Sequence, residues 1–272
     1  MSNTQQSYYS RMPVSSQQGA VLIVVLLFLV LIILAGAIAV RQSTTDLRLA
    51  TGDQINALLL QSADNANQNI EQSINGSSSS TIYNDMISRS GPFGHFILDT
   101  SSTNHEYIFC FRPRNQFFDI NKTTITVPGG GTVLGASSGY CNPAKSADYI
   151  SERNASMTQV NISLTPPSAS NEAFGSYTIG QDTGTIASQA FMFDINSTAV
   201  LPAYADTKDC FEKTSKVDSV SNKEDTIGGC MAKAGVPSTV LYEKANVENK
   251  SQRTQCVDFG KGSGLRCTLP SN

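Results

Sequence analysis

The run AVLIVVLLFLVLIILAGAIAV, residues 20–40, places 21 residues in succession without a charged side chain. As a helix rising about 1.5 Å per residue it is about 31 Å long, the thickness of a bilayer's hydrocarbon core. A helix packed into a soluble core normally keeps one polar stripe, and six turns apolar on every side leave none. The run therefore predicts a membrane-spanning helix. It is longer than the roughly 7–15 apolar residues of a removable signal sequence, and no A-x-A site with a loop-like stretch follows it.

Toward the C-terminus the helical pattern continues through RQSTTDLRLATGDQINALLLQSADNANQNIEQSI, residues 41–74. Leu47, Thr51, Ile55, Leu59, Ala63, Ala66, Ile70 and Ile74 recur three or four apart and mark one stripe. Asn75-Gly76 and the serines Ser77 to Ser80 supply a stop. No proline lies between Pro13 and Pro92 to force a break. Gly36 and Gly52 are the weak points, each costing about 1 kcal/mol relative to alanine. The expectation is one helix over 20–75, roughly 80 Å long, apolar all round in its first half and amphipathic in its second. Ala35 and Ala39 form a small-xxx-small pair that permits close helix contact.

The rest of the composition narrows the class. Lys and Arg number 19 against 22 Asp and Glu, a net charge of −3, which argues against a chain-wide polybasic surface and so against direct nucleic-acid binding. A hydrophobic share of 40% is enough to bury a core. With 34 serines, 20 glycines and no tryptophan, the chain is rich in loop and strand residues and does not read as an all-helical bundle.

Arg11 precedes the apolar run and Arg41 and Arg48 follow it, so positive charge gives no clean orientation. The cysteines decide it. Cys110, Cys141, Cys210, Cys230, Cys256 and Cys267 all lie beyond the helix, their number is even, and none forms a C-x-x-C. With only His95 and His105 beside them, they lack zinc-ligand spacing. Three disulfides are the natural reading, which puts everything after Val40 in an oxidising space such as the bacterial periplasm or the cell exterior. Of the 15 possible connectivities, the sequential one (Cys110–Cys141, Cys210–Cys230, Cys256–Cys267) is preferred, each bridge contributing about 2–4 kcal/mol.

A polar leader ending in Gly19, an apolar run starting at Ala20, an unbroken amphipathic helix and a cysteine-containing head together resemble a type IV prepilin. The resemblance covers residues 12–75. It implies a pilin-like α+β fold, with a leader over 1–19, a long helix over 20–75 whose membrane segment is 20–40, and a periplasmic or extracellular head over 76–272. It implies cleavage between Gly19 and Ala20 by a prepilin peptidase and N-methylation of Ala20. Most pilins carry Glu at the fifth mature position, where the carboxylate meets a neighbour's N-terminal amine; here that position is Val24. A subunit without that carboxylate suits a place at or near the fibre tip. The leader departs from the family in having Gln17-Gln18 where a basic residue is common before the glycine. The stretch GAVLIVVLLFLVLIILAGAIAVR, residues 19–41, followed by polar residues and Leu47-Arg48, looks most like the PilX-like minor pilins, with the K-type pseudopilins of type II secretion as the alternative.

The implied role is structural: priming pilus assembly and supporting twitching motility, adhesion or DNA uptake. The implied partners are other minor pilins, the major pilin and a tip adhesin, with the inner membrane as host before assembly and the pilus tip at the cell surface as the destination. A membrane-anchored periplasmic binding module is the rival from another class.

In the head, HFILDT (95–100), EYIFCFR (106–112), QFFDI (116–120), TTITV (123–127), MTQVNISLT (157–165), YTIG (177–180) and IASQAFMFDI (186–195) read as strands, and TVLYEKANV (239–247) and TQCVDF (254–259) as late strands or irregular segments. A short helix is expected within 205–235, ahead of Gly228-Gly229. An antiparallel sheet packed on the amphipathic half of the helix is the simplest architecture. No P-loop and no G-x-S-x-G elbow occurs. His95 and His105, flanking a hairpin with Asp99 between them, read as chance residues and not as catalytic ones. Glu224-Asp225 among Lys213, Lys216 and Lys223 reads as a solvated mixed-charge loop. Asp206, Asp209, Asp218 and Asp225 offer oxygen ligands without the spacing of an EF-hand, so no catalytic residue, metal or cofactor is expected.

Overall fold

The computed structural model describes residues 18–77, 79–98, 104–127, 131–165, 190–248, 255–256 and 267–268. The chain divides into two compact units, Met1–Asp53 and Gln54–Asn272. The first helix, α1 (Gln18–Asn75), is unbroken and contributes to both.

In the second unit α1 buries one stripe. Leu59, Ala63, Ala66, Ile70 and Ile74 are in the core and Ile55 packs against it. The expected stripe is shortened at its start, because Thr51 is exposed and Leu47 is 68% exposed where Leu59 is fully buried. Apolar spacing marks a face, but only a facing surface buries it, and the sheet's residues begin to cover α1 only from Ile55.

Two short helices follow, the second where a strand was expected. α2 (Thr81–Ile87) is capped by Ser80, whose Oγ accepts from Tyr83 N at 3.1 Å, satisfying one of the donors that a helix start leaves unpaired. α3 (Gly94–Leu98) replaces the strand read in HFILDT. Phe93 and Phe96 are both buried, and this three-residue interval is helical, not alternating. Residues 99–100 of that motif lie outside the described residues.

The sheet has six antiparallel strands: β1 (Glu106–Cys110), β2 (Thr123–Thr126), β3 (Thr132–Leu134), β4 (Met157–Leu164), β5 (Ala190–Val200) and β6 (Ser238–Glu248), in the order β3-β2-β1-β4-β5-β6. QFFDI forms no strand. Phe117 and Phe118 are both buried, packed into the core from the connection between β1 and β2. YTIG lies outside the described residues. Of the strand read at 186–195, residues 186–189 lie outside the described residues, and the described part, from Ala190, runs on to Val200; β3 had no clear pattern in the sequence. Two further strands, β7 (Gln255–Cys256) and β8 (Cys267–Thr268), pair with each other; the rest of TQCVDF is outside the described residues.

One face of the sheet meets α1. Phe109, Val160, Ile162, Phe193 and Ile195 join Ala66, Ile70 and Ile74 in the largest core cluster, and Phe93 packs edge-on against Phe193 with centroids 4.9 Å apart. Polar ties cross the same interface: Thr158 Oγ1 donates to Ser62 O at 3.3 Å, and Ser197 Oγ to Asn67 Oδ1 at 2.5 Å. The other face is partly covered by residues 201–237, which hold α4 (Lys208–Phe211) and α5 (Ile227–Lys233). Gly228-Gly229 therefore lies inside α5, not after a helix as expected. Thr226 caps that helix, its Oγ1 accepting from Gly229 N at 3.1 Å.

Tyr107 gives a pH prediction. It is fully buried and its hydroxyl donates to Ser90 O at 2.7 Å. Burial pushes its phenol far above the ordinary value, the Thr123 hydrogen bond pulls back, and Asp85 and Asp119 push further up. The folded state holds this proton more tightly than the unfolded chain. Its contribution to stability is thus complete below the unfolded value of about 10 and is lost as pH rises through the folded one. Urea midpoints measured from pH 8 to 11 are expected to fall above pH 10 in the parent and to fall less steeply in Tyr107→Phe.

Candidate functional site

The first candidate surface is the apolar part of α1. Every side chain from Val21 to Thr51 is exposed, and this one helix is long and apolar enough to span a membrane. Its first acidic residue is Asp46. Val24, at 52% exposed, presents an isopropyl group on this surface. Gly19 and Ala20 lie in the opening of α1; residues 1–17 are outside the described residues. Just past the apolar run, Thr44 and Thr45 donate to Arg41 O at 2.9 and 3.0 Å, and Thr51 donates to Leu47 O at 2.8 Å. Their hydroxyls are satisfied by the helix itself and do not require water there. This surface offers dispersion contacts to lipid tails or to other apolar helices.

The second candidate is the cross-linked head. Cys110 is bonded to Cys141 and Cys210 to Cys230. Cys256 and Cys267 are register partners between β7 and β8; their side chains are outside the described residues.

Next to the first bridge sits a buried ion pair that the sequence reading missed. Arg112 Nε meets Asp148 Oδ1 at 2.6 Å, with the side chains 8% and 3% exposed. Arg112 Nη1 also donates to Cys110 O at 3.2 Å, and Asp148 Oδ2 accepts from Asn142 N at 3.0 Å. The pair thus ties together the chain on both sides of the disulfide. Nearby, a Cβ on Gly139 would run into the backbone of Thr124 and Ile108, so only glycine lets the chain lie flat on those strands.

A second polar node joins the 201–237 segment to the sheet. Glu106 is 3% exposed. Its carboxylate accepts from Asn161 Nδ2 at 3.0 Å, Thr214 Oγ1 at 2.7 Å, Ser215 N at 2.9 Å and the Ser215 hydroxyl. Burial pushes the half-buried Lys216 amine below its ordinary value, while Glu106 and Asp194 pull it back up. With four donors already committed to it, this carboxylate acts as a structural tie between layers. The signal for it in the sequence was slight: Glu106 opens a run, EYIFC, that is otherwise free of charge.

The residues singled out for chemistry are distributed differently. Asp209, Glu212 and Asp225 line a cleft of about 560 Å³ with Thr126, Lys213 and Thr214, where Lys213 Nζ lies 3.8 Å from Asp225. Asp206 Oδ1 accepts from Lys208 N at 3.2 Å, and Asp218 sits in a short 3-10 turn. Among the described residues no three metal-binding side chains come together. Glu224 pairs with Lys233 on the surface. His95 and His105 do not flank a hairpin. His95 is in α3, His105 precedes β1, and their rings stack with Nε2 and Nδ1 2.9 Å apart. One nitrogen of that contact must donate and the other accept. Asp99 is outside the described residues.

No family model matches the chain, and no curated protein or solved structure matches it significantly. What the chain carries in its own right is an α+β head with a six-strand antiparallel sheet, and one helix able to cross a membrane.

Proposed function

We propose that this chain is a minor pilin of a type IV pilus, placed at or near the fibre tip, with a structural role and no enzymatic one. The observation that most supports the reading is α1 itself. One uninterrupted helix of 58 residues is apolar and exposed over 21–40 and supplies core residues to a disulfide-bonded α+β head from Leu59 onward. A simple anchor needs no such continuity, because a flexible linker would serve equally well.

In this reading residues 20–40 hold the subunit in the inner membrane and later exchange lipid for neighbouring helices of similar apolarity. The head stays outside with other minor pilins, the major pilin and a tip adhesin as partners. Val24 fits a tip position. A carboxylate at that point would cost a few kcal/mol in lipid unless paired, and a subunit with nothing above it has no amine to receive.

The test is intact mass of the membrane-extracted protein from cells with and without prepilin peptidase. The expected result is loss of residues 1–19 and gain of one methyl group only when the peptidase is present. An uncut chain in both strains removes the pilin reading and leaves a membrane-anchored periplasmic module. A processed chain that assembles only with secretion-system pseudopilins identifies the K-type alternative.

A further inference from the structure

The two edges of the six-strand sheet are built differently. β3 is three residues long, and its register with β2 shifts between Ile125 and Thr126. Shortness and a bulge are common ways to stop an edge from recruiting another strand. β6 has neither. It runs for eleven residues in unbroken register with β5, from Ser238 opposite Val200 to Glu248 opposite Ala190. It contains no proline. Among the described residues β5 is its sole strand partner. Every second residue of such an edge directs its N–H and C=O away from the sheet.

The two faces beside this edge differ in chemistry. On the face away from α1, Val240 and Tyr242 are 46% and 52% exposed, and Met192 of β5 is 47% exposed. Lys244 lies on that same face, its Nζ 6.0 Å from the Tyr242 ring. On the face toward α1, Leu241 and Ala245 pack against the core, and Glu243 comes between them. Burial pushes the Glu243 carboxyl up, the like charges of Glu71 and Asp64 on α1 push it further, and the nearby Asn67 amide pulls the other way. Between Arg48 and Asn75, α1 carries no lysine or arginine. The α1 side of the edge is thus acidic, whereas the opposite side presents the apolar surface of Val240, Tyr242 and Met192 together with one Lys244 amine and the Asp194 carboxylate that accepts from the Tyr242 hydroxyl.

We infer that β6 is a strand-addition site for an extended segment of a partner protein, basic at the positions facing α1 and apolar at the alternate ones. Backbone hydrogen bonds supply the attachment, and the two faces of β6 supply register and selectivity. The inference does not depend on the pilin reading.

The test uses the full chain in detergent micelles and two fluorescein-labelled peptides of eleven residues, matching β6. One alternates lysine with valine, and the other replaces each lysine by glutamate. The lysine peptide is expected to bind and the glutamate peptide not to. On binding, amides of 238–248 should gain hydrogen-exchange protection at every second position. Glu243→Gln and Glu71→Gln, both outside the core, should each weaken binding about two- to fivefold while leaving the fold intact. The inference is overturned by any of four results. These are equal binding of both peptides, no binding at millimolar peptide, binding without the alternate protection, or edge amides already protected in the free chain. Protection that grows with protein concentration alone would assign the edge to a second copy and overturn the partner assignment.

Discussion

Asp148→Ala is expected to cost the head about 3–5 kcal/mol of folding stability, the loss typical of breaking a buried ion pair from one side. The substitution leaves the Arg112 guanidinium buried without its counter-charge and removes the acceptor of Asn142 N. The check is a urea titration of the full chain in detergent, reading the midpoint shift at unchanged slope. A double variant, Arg112→Met with Asp148→Leu, separates charge from packing. Removing both charges together costs far less than removing one, because no uncompensated ion remains. Equal losses in the single and double variants would show that the site matters for its shape and not for its pairing.

The second large effect concerns the layer over the sheet's other face. Replacing Cys210 and Cys230 by serine opens a loop with a sequence separation of 20 and is expected to cost about 3 kcal/mol. The loss should be local. Residues 201–237 have their own small core, with Phe211, Ile227, Met231 and Val236 packed near Met157 and Val200, and they are tied to the sheet by the Glu106 node and by Gln159 Nε2 donating to Phe211 O at 2.9 Å. Hydrogen exchange is therefore expected to accelerate in 206–236 while the α1 stripe and the β4–β5 pair keep their protection. Loss of protection throughout the head would show that the layer and the α1-facing core unfold as one unit.

Some of this was legible in the chain and some was not, for identifiable reasons. The apolar run and the stripe on α1 were legible because one period repeats over many turns with no proline. β4 was legible because its alternation is sustained, whereas β6 read equally as a strand or an irregular segment because its run mixes charged and polar residues with apolar ones. α3 was misread because five residues are too few to separate a helical interval from an apolar strand. QFFDI was misread because two adjacent phenylalanines resemble a strand core, while here both are buried from a loop. The bracing of the head was the least legible part. Arg112 and Asp148 are 36 residues apart and Glu106 and Ser215 are 109 apart, and nothing in either neighbourhood announces the other. Burial of such groups follows from tertiary contacts that no local pattern encodes.

The two bridges have a mechanical meaning as well. A chain pulled from its ends lengthens by about 3.4 Å for each residue that straightens. Cys110–Cys141, with a separation of 31, withholds roughly 100 Å of contour, and Cys210–Cys230, with a separation of 20, withholds roughly 70 Å. Tension that unravels the sheet therefore meets two covalent shortcuts. Under load, the head has a ceiling on how far it can pay out while its bridges stay oxidised, and reduction of each of these two described bridges raises that ceiling by its own discrete step.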